Sequence, residues 1–279
     1  MREMTDTGGP PVLVLTVAYN GATLAGFASQ PDQPTVQDTL AAALATLLKR
    51  PVKVVGAGRT DAGVHALGQV VSVALDSASE VPRDRATFMR SVNALVDPAV
   101  RVREVRLAAH GFSARFSATA REYRYLVATG QNAPLFTDRF AHHVPYELDL
   151  TAMRAGAAHL VGEHDFRSFC VVASAEGMRT VRTLERVDIT EVTSTADLLG
   201  EPLIAITVKG NAFLHSMVRV IVGSLLKVGA GRHEPDWIAD ALAARDRVEA
   251  GPTAPACGLT LVSVTYPDDV WLAWPTAGA

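Results

Sequence analysis

The order in which strand-like and helix-like segments follow one another narrows the fold of this chain more than any single residue. Val12–Tyr19 (VLVLTVAY) is β-branched and aliphatic and runs into Asn20-Gly21, which predicts a strand closed by a turn. Further on, Thr35-Val36-Gln37-Asp38 has the form of a capping-box variant, and Val36, Leu40, Leu44, Leu47 and Leu48 then fall on one helical face before Pro51. Residues 52–55 and 69–75 read as short strands, 83–95 as a second helix and 100–107 as a further strand. The first part of the chain is therefore β-α-β-β-α-β.

The remainder repeats the alternation. Strands are expected at 122–129, Val181–Val192, 203–208 and 259–266, and helices at 150–161, 211–228 and 235–244, the first ended by Gly162 and the second by Gly229. Helices too few for a doubly wound sheet, with neighbouring strands able to form hairpins, favour α+β over α/β. A length of 279 residues suits two such bodies. The expected division is a loose N-terminal tail over 1–11, a first half over 12–111 that carries the glycine-rich loop, and a second half over 112–279 whose end, after Pro267, is also loose.

Composition excludes several classes. Apolar residues make up 48% and charged residues 20%, too apolar for disorder. There is no run of roughly 20 apolar residues and no apolar signal region in MREMTDTGGPP, so the expectation is a cytoplasmic protein without a membrane partner. Cys170 and Cys257 stand far apart, which writes neither a disulfide framework nor a zinc knuckle; buried, inert thiols are expected. The net charge of −3 hides a local field, because nine arginines and only four acids lie between residues 81 and 125. That window suits phosphates, or a set of solvated strand and helix faces.

The stretch VGAGRTDAGVH (55–65) imitates a phosphate loop and is not one. A dinucleotide fingerprint needs a third glycine where Asp61 stands, and a helix where the sequence continues toward a strand; a carboxylate there repels pyrophosphate. No Gly-Lys-Ser/Thr follows for a Walker loop. Asp61 and His65 have i,i+4 spacing, but too few further ligands stand nearby for a metal. What remains is a carboxylate on a tight turn, flanked by Arg59 and Gly63, with small residues that let a planar substrate approach the backbone. A turn aspartate bonding its own backbone is the bland alternative.

GAGRTDAGVHALGQV closely resembles the catalytic motif of the tRNA pseudouridine synthase A family. PTVQDTL, GFSARFSATAREYRYLV (111–127), GEHDFRSF (162–169) and KGNAFLHSMVRVIVGSL (209–225) match further family segments in the same order, from about residue 12 to 266. The resemblance implies two ferredoxin-like halves with joined antiparallel sheets, helices on the outer face and a central cleft. It also implies a homodimer that binds tRNA without a cofactor or metal. The implied reaction is isomerisation of uridine to pseudouridine in the anticodon stem and loop, at nucleotide positions 38, 39 and 40, through an aspartate nucleophile and base flipping.

Site residues carry over by position. Asp61 matches the catalytic aspartate; whether it attacks the uracil ring or acts at the ribose stays open. Burial raises a carboxyl pKa above its ordinary ~3.9, so a nucleophilic aspartate needs a permanent cation nearby. Arg219 is the candidate, on a helix from Asn211 where it would share a face with His215, Ser216 and Gly223, the glycine leaving room beside it. The M-V-R segment of the family implies the same pairing. Tyr123 matches the active-site tyrosine, implied to stack on the target base; on a strand it shares a face with Tyr125, so one or both also suit a core. Arg59 matches an arginine implied to assist flipping, and Phe112, Ser113, Ala114, Arg115 and Phe116 match an RNA-contacting segment. The chain departs from the family pattern at Phe27-Ala28-Ser29-Gln30, at Ser79 and at Cys170, all peripheral to the aspartate, the tyrosine and the helix arginine.

Overall fold

A computed structural model describes residues 8–172, 177–192 and 203–275. The chain is α+β and packs into two compact units, one running to Thr119 and completed by the residues from Leu261 on, the other Ala120–Thr260. The first unit thus takes in 112–119 and reclaims the C-terminal segment, where the sequence suggests a division after residue 111. Of the N-terminal tail expected over 1–11, residues 1–7 lie outside the described residues.

In the first unit the strands are β1 (Val12–Tyr19), β2 (Val55–Gly56), β3 (His65–Ala74), β4 (Val100–Ala108), β10 (Leu259–Thr265, most of it in this unit) and β11 (Trp271–Leu272). They lie in the order β11-β4-β1-β3-β10, with β2 on β3, and β1 pairs antiparallel with both β3 and β4. β1 ends where the sequence predicts because Asn20 turns the chain, its side chain accepting from the Ala22 amide. Leu13, Leu15 and Val17 alternate with Val12 and Val14, and all five are buried, so both faces of this strand are covered. Helix α1 (Val36–Leu48) starts at the Thr35 cap, whose hydroxyl accepts from the Asp38 amide at 3.2 Å, and stops at Lys49 in the left-handed region. Helix α2 (Arg85–Leu95) is capped by Asp84, packs along β4 and meets α1.

The opposite face of this sheet is closed by residues from far along the chain. Val12, Val14, Val70 and Ala108 form one buried cluster with Phe112, Ala114 and Tyr266, and Trp271 packs against it. The segment expected to hang loose after Pro267 is instead pinned. Trp271 and Leu272 pair with Ala108 and Leu107, and the Trp274 indole donates to the Pro82 carbonyl at 3.1 Å.

In the second unit β5 (Ala120–Thr129), β9 (Leu203–Gly210), β8 (Val181–Val192) and β7 (Gly162–Asp165) lie in that order, each pair antiparallel. β6 (His142–Val144) runs parallel to β5. Helix α3 (Leu150–Ala158) packs on β8 and against both α4 (Met217–Gly229) and α5 (Trp237–Ala244). The helix expected from 211 begins six residues later. Ser216 sits at φ +57°, outside helical space, and the stretch before it spends its backbone elsewhere: the Asn211 amide donates to Thr183 O and the His215 carbonyl accepts from the Val171 amide. His215 and Ser216 are therefore not on a helical face with Arg219.

Candidate active site

Asp61 occupies the first position of a β-turn in the first unit. The Val64 amide donates to the Asp61 carbonyl at 3.2 Å, and Gly63, at φ +80°, fills the third position, the pattern of a type II turn. A residue with a side chain would be strained at Gly63, so this glycine is fixed by geometry and not by a phosphate. Asp61 is half-buried, while Arg59 and Ala62 on either side are exposed.

A buried polar network holds the back of this loop. The Tyr19 hydroxyl and Thr60 Oγ1 are 2.8 Å apart, and the Gln69 amide nitrogen donates to the Gly58 carbonyl at 3.0 Å and to the Tyr19 hydroxyl at 3.4 Å. Gln69 is fully buried and Tyr19 and Thr60 nearly so. Burial outweighs both hydrogen bonds on Tyr19 and pushes its phenol up to about 12. Below that pH the hydroxyl keeps its proton and the network stays neutral. Sequence alone did not single out these three residues, although a glutamine inside an otherwise apolar strand is a polar group that must find partners when buried.

The segment after β1 braces the loop from another side. Phe27 N donates to Thr60 O at 3.1 Å, and Gly21 N donates to His65 Nδ1 at 3.0 Å, a role only the Nε2–H tautomer of a neutral ring can fill. His65 thereby serves as a buried brace. Glycine is required twice here. A Cβ on Gly21 would lie 2.1 Å from Val64 O, and one on Gly26, itself at φ +100°, would lie 2.8 Å from Thr60 O and 3.1 Å from the Ala62 amide nitrogen.

The segment 112–116 divides by burial. Phe112 and Ala114 belong to the interior, Ser113 is half-buried, and Arg115 and Phe116 stand out, the Phe116 ring 80% exposed with the Arg115 guanidinium 5.3 Å from its centre. Phe112 and Ala114 anchor the segment; only its tip has free surface to offer.

Tyr123 and Arg219 belong to the second unit. Tyr123 on β5 is 8% exposed and meets the Phe213 ring edge-on at 5.1 Å. Its strand neighbour Tyr125 is core: it is fully buried, its hydroxyl donates to Pro255 O at 2.9 Å, and a Cβ on Gly258 would touch its ring. Burial and the nearby Cys257 drive the Tyr125 phenol far above its ordinary range, against the charge of Arg219. Arg219, half-buried on the first turn of α4, is clamped to Ala254 in both directions: its Nε donates to the Ala254 carbonyl at 2.7 Å, and the Ala254 amide donates to the Arg219 carbonyl at 3.0 Å. The room expected beside it at Gly223 is taken up by chain, because a Cβ there would lie 1.8 Å from Pro252 O. Cys170 and Cys257 are free thiols, both pushed up chiefly by burial.

The tRNA pseudouridine synthase family matches residues 15–104 and 157–267. The chain belongs to that family. Its chemical class is accordingly that of an isomerase acting on tRNA. A tRNA pseudouridine synthase A of Brevibacillus brevis is 42% identical over 252 residues, covering 90% of this chain and 97% of the relative. The protein of that name from Bacillus subtilis is 42% identical over 256 residues, covering 91% and 98%. That from Frankia casuarinae is 43% identical over 272 residues, covering 97% and 94%. Among the described residues no helix is long and apolar enough to cross a membrane.

Proposed function

We propose that this chain isomerises uridine to pseudouridine at nucleotide positions 38, 39 and 40 of the tRNA anticodon stem and loop, with Asp61 as the nucleophile. The observation that carries this reading is the turn itself. A half-buried carboxylate stands on a backbone held by a neutral, buried network, between an exposed arginine and residues too small to obstruct a planar base. Glycosidic isomerisation breaks the bond from uracil N1 to ribose C1′, turns the base and rejoins it through C5; N1 gains a proton and C5 loses one. No electron or phosphoryl group moves. The demands on the protein are a carboxylate nucleophile and a pocket that retains the free base. A target inside a stem must also be flipped out, at a cost of a few kcal/mol for unstacking.

Arg59 at the loop surface is the group to fill the space a flipped nucleotide leaves or to hold its phosphate, and its exposure suits that role. Arg115 and Phe116 extend the RNA contact. Tyr123 as the residue that stacks on the base and Arg219 as the charge partner of Asp61 rest on their family motifs; the clamp on Arg219 supports a fixed charge over a mobile one. The strand order β4-β1-β3-β2 in the first unit supports the ferredoxin-like reading of that half. A homodimer acting in the cytoplasm without a cofactor completes the proposal.

Asp61→Asn tests it, since the amide keeps the shape and loses the nucleophile. Release of tritium from C5-labelled tRNA should vanish, while the thermal midpoint and tRNA affinity stay at wild-type values. Turnover by the folded variant would refute the assignment.

A further inference from the structure

The C-terminal segment does more than complete a sheet. Its Tyr266 hydroxyl donates to the Ala114 carbonyl at 2.7 Å, while the Ala114 amide donates to Ser72 Oγ on β3 at 3.0 Å, so this residue is gripped from two elements. Two rings flank Phe112: Tyr266 lies 5.1 Å and Trp271 5.6 Å from its centre, and Tyr266 and Trp271 meet edge-on at 5.8 Å. Arg106 on β4 covers the outer side of Trp271, its guanidinium carbon 3.5 Å from the ring centre. The far end of the segment is tied as well, with the Thr119 amide donating to Thr265 O at 2.9 Å. Between these anchors only Arg115 and Phe116 are exposed.

We infer that Tyr266 and Trp271 are positioning residues for tRNA binding, a strap that holds 112–117 in the one conformation presenting Arg115 and Phe116 to RNA. This rests on the reading above that the segment contacts tRNA. Neither residue touches substrate. Their effect is to remove the ordering cost that a free loop would meet on binding.

The test uses fluorescently labelled tRNA and the full-length protein. Tyr266→Phe keeps the ring and removes one hydrogen bond, so affinity should fall about fivefold, with kcat at saturating tRNA within about twofold of wild type. Trp271→Phe, which keeps the apolar packing, should act in the same direction. Amide exchange over 112–117 should quicken in both, with β1 and β4 unaffected. Because the strap acts through the tip, Tyr266→Phe should add little to the loss already caused by Arg115→Ala. Wild-type affinity, full additivity with Arg115→Ala, or faster exchange without weaker binding would each overturn the inference. The readout is binding, so its failure is distinct from failure of the isomerase reading, which is judged by turnover of Asp61→Asn.

Discussion

Gly26→Ala separates strain from misplacement at the candidate nucleophile. The substitution has two costs. At φ +100° an alanine is strained by about 1–3 kcal/mol, which for a chain of this size lowers the midpoint by roughly 2–10 °C. Its methyl would also stand 2.8 Å from Thr60 O and 3.2 Å from the Asp61 carbonyl carbon, where ordinary contact begins near 3.4 Å. Relief requires the Thr60–Asp61 backbone to move by roughly 0.6 Å; if 1 Å of misplacement costs about a hundredfold, kcat should fall by about tenfold. Gly130→Ala is the matched control. Gly130 has φ +104°, and a Cβ there meets nothing within 4 Å, so its stability loss should be of similar size with kcat unchanged. Single-turnover rates on tRNA and thermal melts of both variants decide the matter. Equal rate losses in the two, or a Gly26→Ala protein with full kcat, would refute the claim that this glycine sets the position of Asp61.

Gly223→Ala should destabilise the second unit by about 3 kcal/mol or more in urea melts, because its methyl would overlap the Pro252 carbonyl; a loss under about 1 kcal/mol would mean that α4 and 251–254 are not in contact as described. Tyr19→Phe should cost about 1 kcal/mol at neutral pH by leaving Thr60 Oγ1 short of a partner. It should also flatten the alkaline limb. A folded-state pKa of about 12 lies above the ordinary value of 10, so the stability Tyr19 contributes is whole below pH 10 and disappears as pH rises through 12. Urea midpoints from pH 8 to 11.5 with the same slope in both proteins would contradict this.

What could be read from sequence was what local chemistry dictates. β1 and α1 begin and end where predicted because Asn20-Gly21, the Thr35 cap and Pro51 act within a few residues of themselves. A tight turn at Asp61 was legible for the same reason; the φ of +80° that demands glycine at Gly63 was not, because small residues there suit substrate clearance equally well. The start of α4 was not, because Phe213 and Leu214 continue the apolar pattern while the backbone from 211 to 216 answers to Thr183 and Val171, partners about 30 to 45 positions away. The network behind the loop joins Tyr19 to residues 41 and 50 positions on, which no periodicity reveals. Trp271 and Trp274 read as a tail for want of a pattern, and their partners, Phe112, Arg106 and Pro82, lie far back in the chain.

That last separation has a consequence in time. The second unit is one uninterrupted run, but the first is closed by residues that leave the ribosome more than a hundred positions after its own β4. At about 5–20 residues per second, Phe112 waits roughly 8–30 s for Tyr266 to be made. Over that interval the strands around the Asp61 turn are already made while Arg115 and Phe116 have no brace, so on the proposed role of that tip synthesis itself delays the moment at which a new molecule can take hold of tRNA.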